Sequence, residues 1–192
     1  DLSRTPFPVN NEVKKRMQTY AGIYTTREDA QMYLEKDFAD TYWYYFHYRY
    51  KNIIGDSVGS LADFRQMKYN NIEKFGIIKK KVDTYSEIDK KEWSSEFKQK
   101  SKEAYVRFEK EGIYMSVHAL SRLSRLNKPG VPEVTEKELI ELIHGSPKYR
   151  EGENKLIYFD AERQLVAVKN KGTGDIVSVV RRKSPKEVWE NV

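Results

Sequence analysis

The sequence has no cysteine, which excludes disulfides, thiolate nucleophiles and Cys-ligated zinc. It has no apolar run long enough to cross a bilayer, so no membrane-spanning segment is expected. Histidine is scarce, with three in the chain, so few side chains can move a proton near neutral pH. The apolar share is low at 39%, and the mean hydropathy is -0.81. Even so, 14 Tyr, 8 Phe and 3 Trp supply bulk for a core, and a folded chain is expected. Lys and Arg number 35 against 29 acids, a net charge of +6. That excess is compatible with a nucleic-acid partner and is also ordinary for soluble proteins. With 192 residues the chain admits one domain or two small ones. It opens on Asp1, with no initiator Met and no basic-then-apolar leader, so a processed piece of a longer protein is expected.

The first 111 residues read as helical. Residues 1–10 hold two prolines without periodicity and form an irregular lead-in. A helical pattern from Asn11 carries Val13, Met17, Tyr20 and Ala21, and Gly22 can stop it. Thr25 and Glu28 have capping-box spacing before a long helix whose run Tyr42–Tyr50 is mostly aromatic. Such a run, interrupted by His47 and Arg49, could stack bases. A helix apolar on most sides is more simply a buried one. After the loop at 55–60, a helix over 61–75 is expected to end at Gly76. The run Lys79 to Lys81 reads as a solvated helix end. Residues 85–111 fit one or two amphipathic helices. No strand, Gly-rich phosphate loop or metal-ligand spacing occurs up to Glu111.

At Gly112 the pattern changes, and a domain boundary is expected between 111 and 112. Residues 112–126 (GIYMSVHALSRLSRL) make a helix in which His118, Arg122 and Arg125 stand at i, i+4 and i+7 on one face. Asn127-Lys128-Pro129-Gly130 breaks the chain, and Thr135 with Glu138 forms a second capping box for a helix over 137–143. His144 at its end meets the negative pole of the helix and needs no catalytic role. Three period-two runs follow, at 155–159, 165–168 and 176–180, and a helical turn is expected over 184–192. The fold class is therefore α+β: an N-terminal helical region, then two helices and a three- to four-stranded antiparallel β-meander.

An imidazole beside guanidinium groups suits phosphodiester chemistry. Histidine can move a proton near pH 7, and arginine stays charged and holds phosphate oxygens in a fork of donors. The alternative is a solvated face that contains a histidine. Ser178 is the small polar interruption of an apolar strand, alternating so as to share a face with Ile176 and Val180. It is either a satisfied hydroxyl at an edge or a hydroxyl facing the His118 helix.

In this order SVHALSRLSRL, TEKELIELIHG, KLIYFD, QLVAVKN and DIVSVVRR resemble the metal-independent ribonuclease superfamily of barnase, EndoU, colicin and RelE-like toxins, its phage-associated branch in particular. The resemblance covers roughly residues 114–182. It implies that His118 is the acid or base, Arg122 the phosphate stabiliser and Ser178 the hydroxyl that orients the scissile phosphate, with Arg125, Lys169 and Tyr158 as substrate contacts. It also implies a C-terminal toxin domain of a polymorphic, LXG-type effector, secreted within a larger protein. Such a toxin acts on RNA, tRNA among the candidates, in the target-cell cytoplasm and is neutralised by a cognate immunity protein. No metal or cofactor is implied, since RNA supplies its own 2′-hydroxyl nucleophile. The second proton carrier stays open among Tyr149, Tyr158, Lys169 and water, because arginine is a poor proton donor. Two other classes stay open as well: a metal-dependent DNase, for which Glu153-Asn154-Lys155 is the best fragment, and a non-enzymatic protein-binding module.

Overall fold

A computed structural model describes residues 62, 63, 66 and 72–192. The helices expected within 11–53, the aromatic run Tyr42–Tyr50 and the loop at 55–60 lie outside the described residues. Contacts divide the chain into two compact units, Asp1–Lys91 and Glu92–Val192.

In the first unit the described element is helix α1, Ile72–Asp89. It does not stop at Gly76, as the sequence suggests, but runs through it. Ile78, Val82, Tyr85 and Ile88 recur at helical spacing and are all buried. A buried stripe of that length outweighs the roughly 1 kcal/mol that an internal glycine costs. The basic run is not uniformly solvated either. Lys79 bonds Asp83 at 3.2 Å, whereas Lys81 is buried.

The second unit holds helices α2 (Ser95–Lys110), α3 (Val117–Leu123) and α4 (Glu136–His144) and a sheet of five antiparallel strands. The α+β class is thus the observed one, and helix α2 belongs to the same compact unit as the sheet. Each helix begins at a hydroxyl cap. Ser94 accepts from Phe97 N, Ser116 from Ala119 N and Thr135 from Glu138 N, and Glu138 completes the expected capping box. The His144 ring meets the Glu111 carbonyl at 2.8 Å, tying the end of α4 to the end of α2.

The strands are β1 (Tyr149–Glu151), β2 (Lys155–Asp160), β3 (Leu165–Asn170), β4 (Ile176–Arg181) and β5 (Glu190–Asn191), in the order β4-β3-β2-β1-β5. Strands β2, β3 and β4 are the expected meander. Strand β1 adds a hairpin through Gly152, whose φ of 64° suits glycine. Of the closing helical turn expected over 184–192, only a turn at 187–188 forms, with Trp189 N donating to Lys186 O at 3.1 Å. The chain there turns briefly and pairs Glu190 and Asn191 with Arg150 and Tyr149, because Trp189 is drawn into a cluster with Ile157, Phe159 and Val166. Burial of an indole outweighs the weak helix signal of a capping Ser-Pro.

Alternation divides the sheet into two faces. Ile157, Phe159, Val166 and Val168 share one with Tyr149 and Trp189. Tyr158, Leu165, Ala167, Val179 and Arg181 lie on the other, which the helices cover: α4 packs on β2 and β3, and α3 on β4. Arg181 is the main cross-tie there. Its guanidinium donates to the carbonyls of Leu126 (3.0 Å), Arg163 (2.7 Å) and Pro132, and its Nε to Gln164 (3.3 Å). Burial pulls its pKa down from the ordinary arginine value, against the opposing pull of Glu138. Nearby, Arg163 bonds both Glu138 and Asp160, the latter at 2.8 Å.

Replacing Arg181 by Met should lower unfolding free energy by about 1.5–3 kcal/mol, the usual worth of hydrogen bonds from a charged donor; urea unfolding measures this. A second outcome concerns acid. The hydrogen bond from Arg163 is the chief cause holding Glu138 below its usual carboxylate range. At Asp160 burial opposes ionisation, but the bonds from Arg163 prevail and its carboxyl is also held low. Carboxylates with depressed folded pKa values bind more protons when unfolded, so their contribution is present above about pH 4 and lost as pH falls through the folded values. Urea midpoints taken from neutral pH downward should therefore fall less steeply below about pH 4 in Arg163→Met than in the native chain.

Candidate functional site

Helix α3 has seven residues, too few to be stable alone. Strand β4 holds it at both ends. At the start, Met115 bridges Ile176 in parallel fashion, Ile176 N donates to Tyr114 O at 2.8 Å, and Ser116 N donates to Ile176 O at 2.9 Å. The Ser116 hydroxyl caps the helix and also donates to Val177 O at 3.3 Å. Beyond its end, Leu126 O receives Arg181.

The buried side of α3 is Val117, Ala119 and Leu120. His118 and Arg122 lie opposite it; His118 is exposed and Arg122 half-buried. Arg122 Nε stands 3.5 Å from His118 Nε2, a long contact that places the two groups side by side without a strong bond. With the guanidinium donating, Nε2 presents its lone pair, as a proton acceptor must. Arg125 is exposed just past the helix.

The other expected residues do not all converge on this pair. A register shift between Val168 and Lys169 leaves Val168 opposite Ser178 but Lys169 opposite Ile176. Ile176 therefore drops out of Ser178's alternation, contrary to the simple period of two. Ser178 stays with Val168 and Val180 on the sheet face away from the helices, so its hydroxyl does not face the α3 side. Lys169 pairs with Ile176, the residue that bridges Met115, and so lies at the same end of β4 as the start of α3. Tyr158 is corrected from substrate contact to core: it lies opposite Ala167 on the helical face and is 4% exposed. Among the open second proton carriers, Tyr149 packs against Phe159 and Trp189 on the opposite face.

Between α2, α3 and the loop that follows lies a groove of about 400 Å³ lined by Phe97, Ala104, Leu120, Leu123 and Leu139, with Arg107 and Glu136 paired at 3.0 Å among its lining residues. His118 and Arg122 are not part of it. Among the described residues, no group of three or more His, Asp or Glu side chains could hold a metal ion, and Glu153 and Asn154 are exposed hairpin residues. No described helix is long and apolar enough to cross a membrane. The residues that sequence reasoning missed are Arg182 and Lys186, held over the Trp189 ring at 5.8 and 5.9 Å. A basic run beside a lone tryptophan is their signal in RRKSPKEVW.

Residues 2–49 match a family of unknown function, DUF6057; these residues lie outside those described. No curated protein and no solved structure matches the chain.

Because His118 and Arg122 face away from the core, His118→Ala and Arg122→Lys should each leave thermal and urea unfolding within about 0.5 kcal/mol of the native chain. Tyr158→Ala, by contrast, should cost about 3–5 kcal/mol, as large aromatic deletions in a core do. A large loss of stability at position 118 would place the imidazole in the packing instead.

Proposed function

We propose that the chain is a metal-independent RNA endonuclease acting as a toxin, with His118 as proton acceptor and Arg122 as the phosphate-holding group. The observation that carries this reading is the pair itself: an imidazole whose Nε2 lies 3.5 Å from a guanidinium Nε, on a helix clamped to a sheet edge. Clamping matters because catalytic groups must keep their separation as substrate arrives.

In the proposed reaction the 2′-hydroxyl attacks the adjacent phosphorus and passes its proton to Nε2 of His118. Arg122 binds a non-bridging phosphate oxygen and stabilises the charge that develops on it. An arriving phosphate competes for the guanidinium donors, which releases the Nε2 lone pair from Arg122. The bond from phosphorus to the 5′-oxygen then breaks, and the leaving oxygen takes a proton from water, which gives a 2′,3′-cyclic phosphate and a 5′-hydroxyl. Arg125, exposed beyond α3, is a substrate contact, and so is Lys169 at the same end of β4. Ser178, on the other face of the sheet, takes no part in these proton transfers. Its proposed part is contact with the RNA chain.

A toxic RNA endonuclease needs restraint in the cell that makes it. The net charge of +6 favours an acidic immunity protein as that restraint, and secretion within a larger effector would deliver the domain to the cytoplasm of a target cell.

Purified chain should cut single-stranded RNA in EDTA and leave 2′,3′-cyclic phosphate ends, read by mass spectrometry. His118→Ala should slow cleavage by about 10²-fold or more, the usual contribution of a general acid or base. Arg122→Lys should also be impaired, because a point charge does not replace a planar fork. Cleavage that requires a divalent cation, or full activity in folded His118→Ala, would overturn the proposal. So would harmless expression of the chain in cells without an immunity partner.

A further inference from the structure

Three arginines of the sheet unit have their charge matched by carboxylates. Arg107 meets Glu136, Arg150 meets Glu190, and Arg163 meets Glu138 and Asp160. Arg182 is held differently. Its Nε donates to the carbonyl of Ser184 at 2.7 Å, and its guanidinium carbon lies 5.8 Å from the centre of the Trp189 ring. Lys186 Nζ lies 5.9 Å from the same ring. Its carboxylate neighbour, Glu151, is at 3.8 Å and is shared with Lys155, which is closer at 3.3 Å. An aromatic face orients a cation without cancelling its charge, whereas a carboxylate does cancel it. Two cations are therefore positioned and still carry charge to offer.

Their place in the fold gives that charge a direction. Arg182 continues the alternation Ser178, Val180, Arg182 beyond β4, on the sheet face opposite the described helices α3 and α4. Val180 is 37% exposed there, and Trp189 belongs to the cluster on that same face. The ring sits edge-on to Phe159 and tilted against Tyr149, which fixes the position over which the cations lie. Ser178, Val180 and Arg182 thus follow one another along β4, and the Trp189 ring holds Lys186 as a second cation close to Arg182.

We propose that the β4 margin of this face carries single-stranded RNA, with Arg182 and Lys186 binding its phosphates and Ser178 as a hydroxyl along its path. The inference rests on the ribonuclease reading and adds to it where the RNA chain runs. Trp189 itself is too buried to stack on a base; it is a positioning residue for the two cations.

The test is fluorescence anisotropy of the full chain with a labelled 2′-O-methyl oligouridylate, which lacks the nucleophile and is not cut. Arg182→Gln/Lys186→Gln should weaken binding roughly tenfold near 0.15 M salt and flatten the log–log salt slope by about 1.4, some 0.7 for each phosphate of a single strand that is no longer neutralised. The control pair Lys128→Gln/Lys137→Gln removes the same charge from exposed positions in the α3–α4 loop and in α4, and should weaken binding much less. Arg182→Lys keeps the charge and should keep the native salt slope, so the comparison stands even if the double variant folds poorly. Equal losses in both pairs, an unaltered affinity in Arg182→Gln/Lys186→Gln, or no binding by the native chain would overturn the proposal. Cleavage of unmodified RNA is scored separately. Binding as expected without cleavage counts against the catalytic reading alone, and cleavage with an unaltered affinity in the double variant counts against the RNA path alone.

Discussion

Strand β4 sets the position of helix α3 in the second unit, through the seam where residues 114–116 join it. The parallel bridge between Met115 and Ile176, and the Ser116 hydroxyl that caps α3 while bonding Val177 O, fix where a seven-residue helix begins. A helix so short has no stability of its own to contribute. Its geometry is borrowed from the sheet, and His118, one turn from the seam, inherits that geometry. Arg181 holds the far end by donating to Leu126 O. One edge strand thus specifies both ends of the helix that presents the imidazole.

The two faces of the sheet carry different work. One is covered by helices and contains the larger apolar core, with Leu139 and Leu165 fully buried; burial of such side chains contributes about 1.5–3 kcal/mol each. The other carries the buried cluster of Ile157, Phe159, Val166 and Trp189, the last returning from the chain end. At its β4 margin Val180 is 37% exposed, between Ser178 and Arg182 in the alternation of that strand. The charge pattern follows the same division. On the helical side Arg107 and Arg163 are matched by carboxylates, and on the opposite face Arg182 and Lys186 lie over an indole ring, with Glu151 shared between Lys186 and Lys155.

Much of this was legible from residue order. Thr135 and Glu138 mark the start of α4 because a capping box is local, with both partners within four residues. The meander follows from period two, and the His118–Arg122 pair from helical spacing. What failed depended on distant contacts. Gly76 stays helical because of a buried stripe further along α1. Strands β1 and β5 are too short to show a period and exist through pairing with each other and with β2. Tyr158 looked available as a hydroxyl, but its side of the sheet is decided by where the helices pack. The shift between Val168 and Lys169 has no sequence mark, and it separates Ser178 from Ile176.

The central claim is that a 2′-hydroxyl of the substrate is the nucleophile and His118 receives its proton. A set of RNA oligonucleotides, each carrying a single 2′-deoxy nucleotide at a different position, tests this directly. With the native chain in EDTA, the deoxy substitution immediately 5′ to a cut should abolish that cut and leave cuts elsewhere intact. Undiminished cleavage at a position that lacks its 2′-hydroxyl would mean that water or a protein group attacks the phosphorus, and would contradict the mechanism.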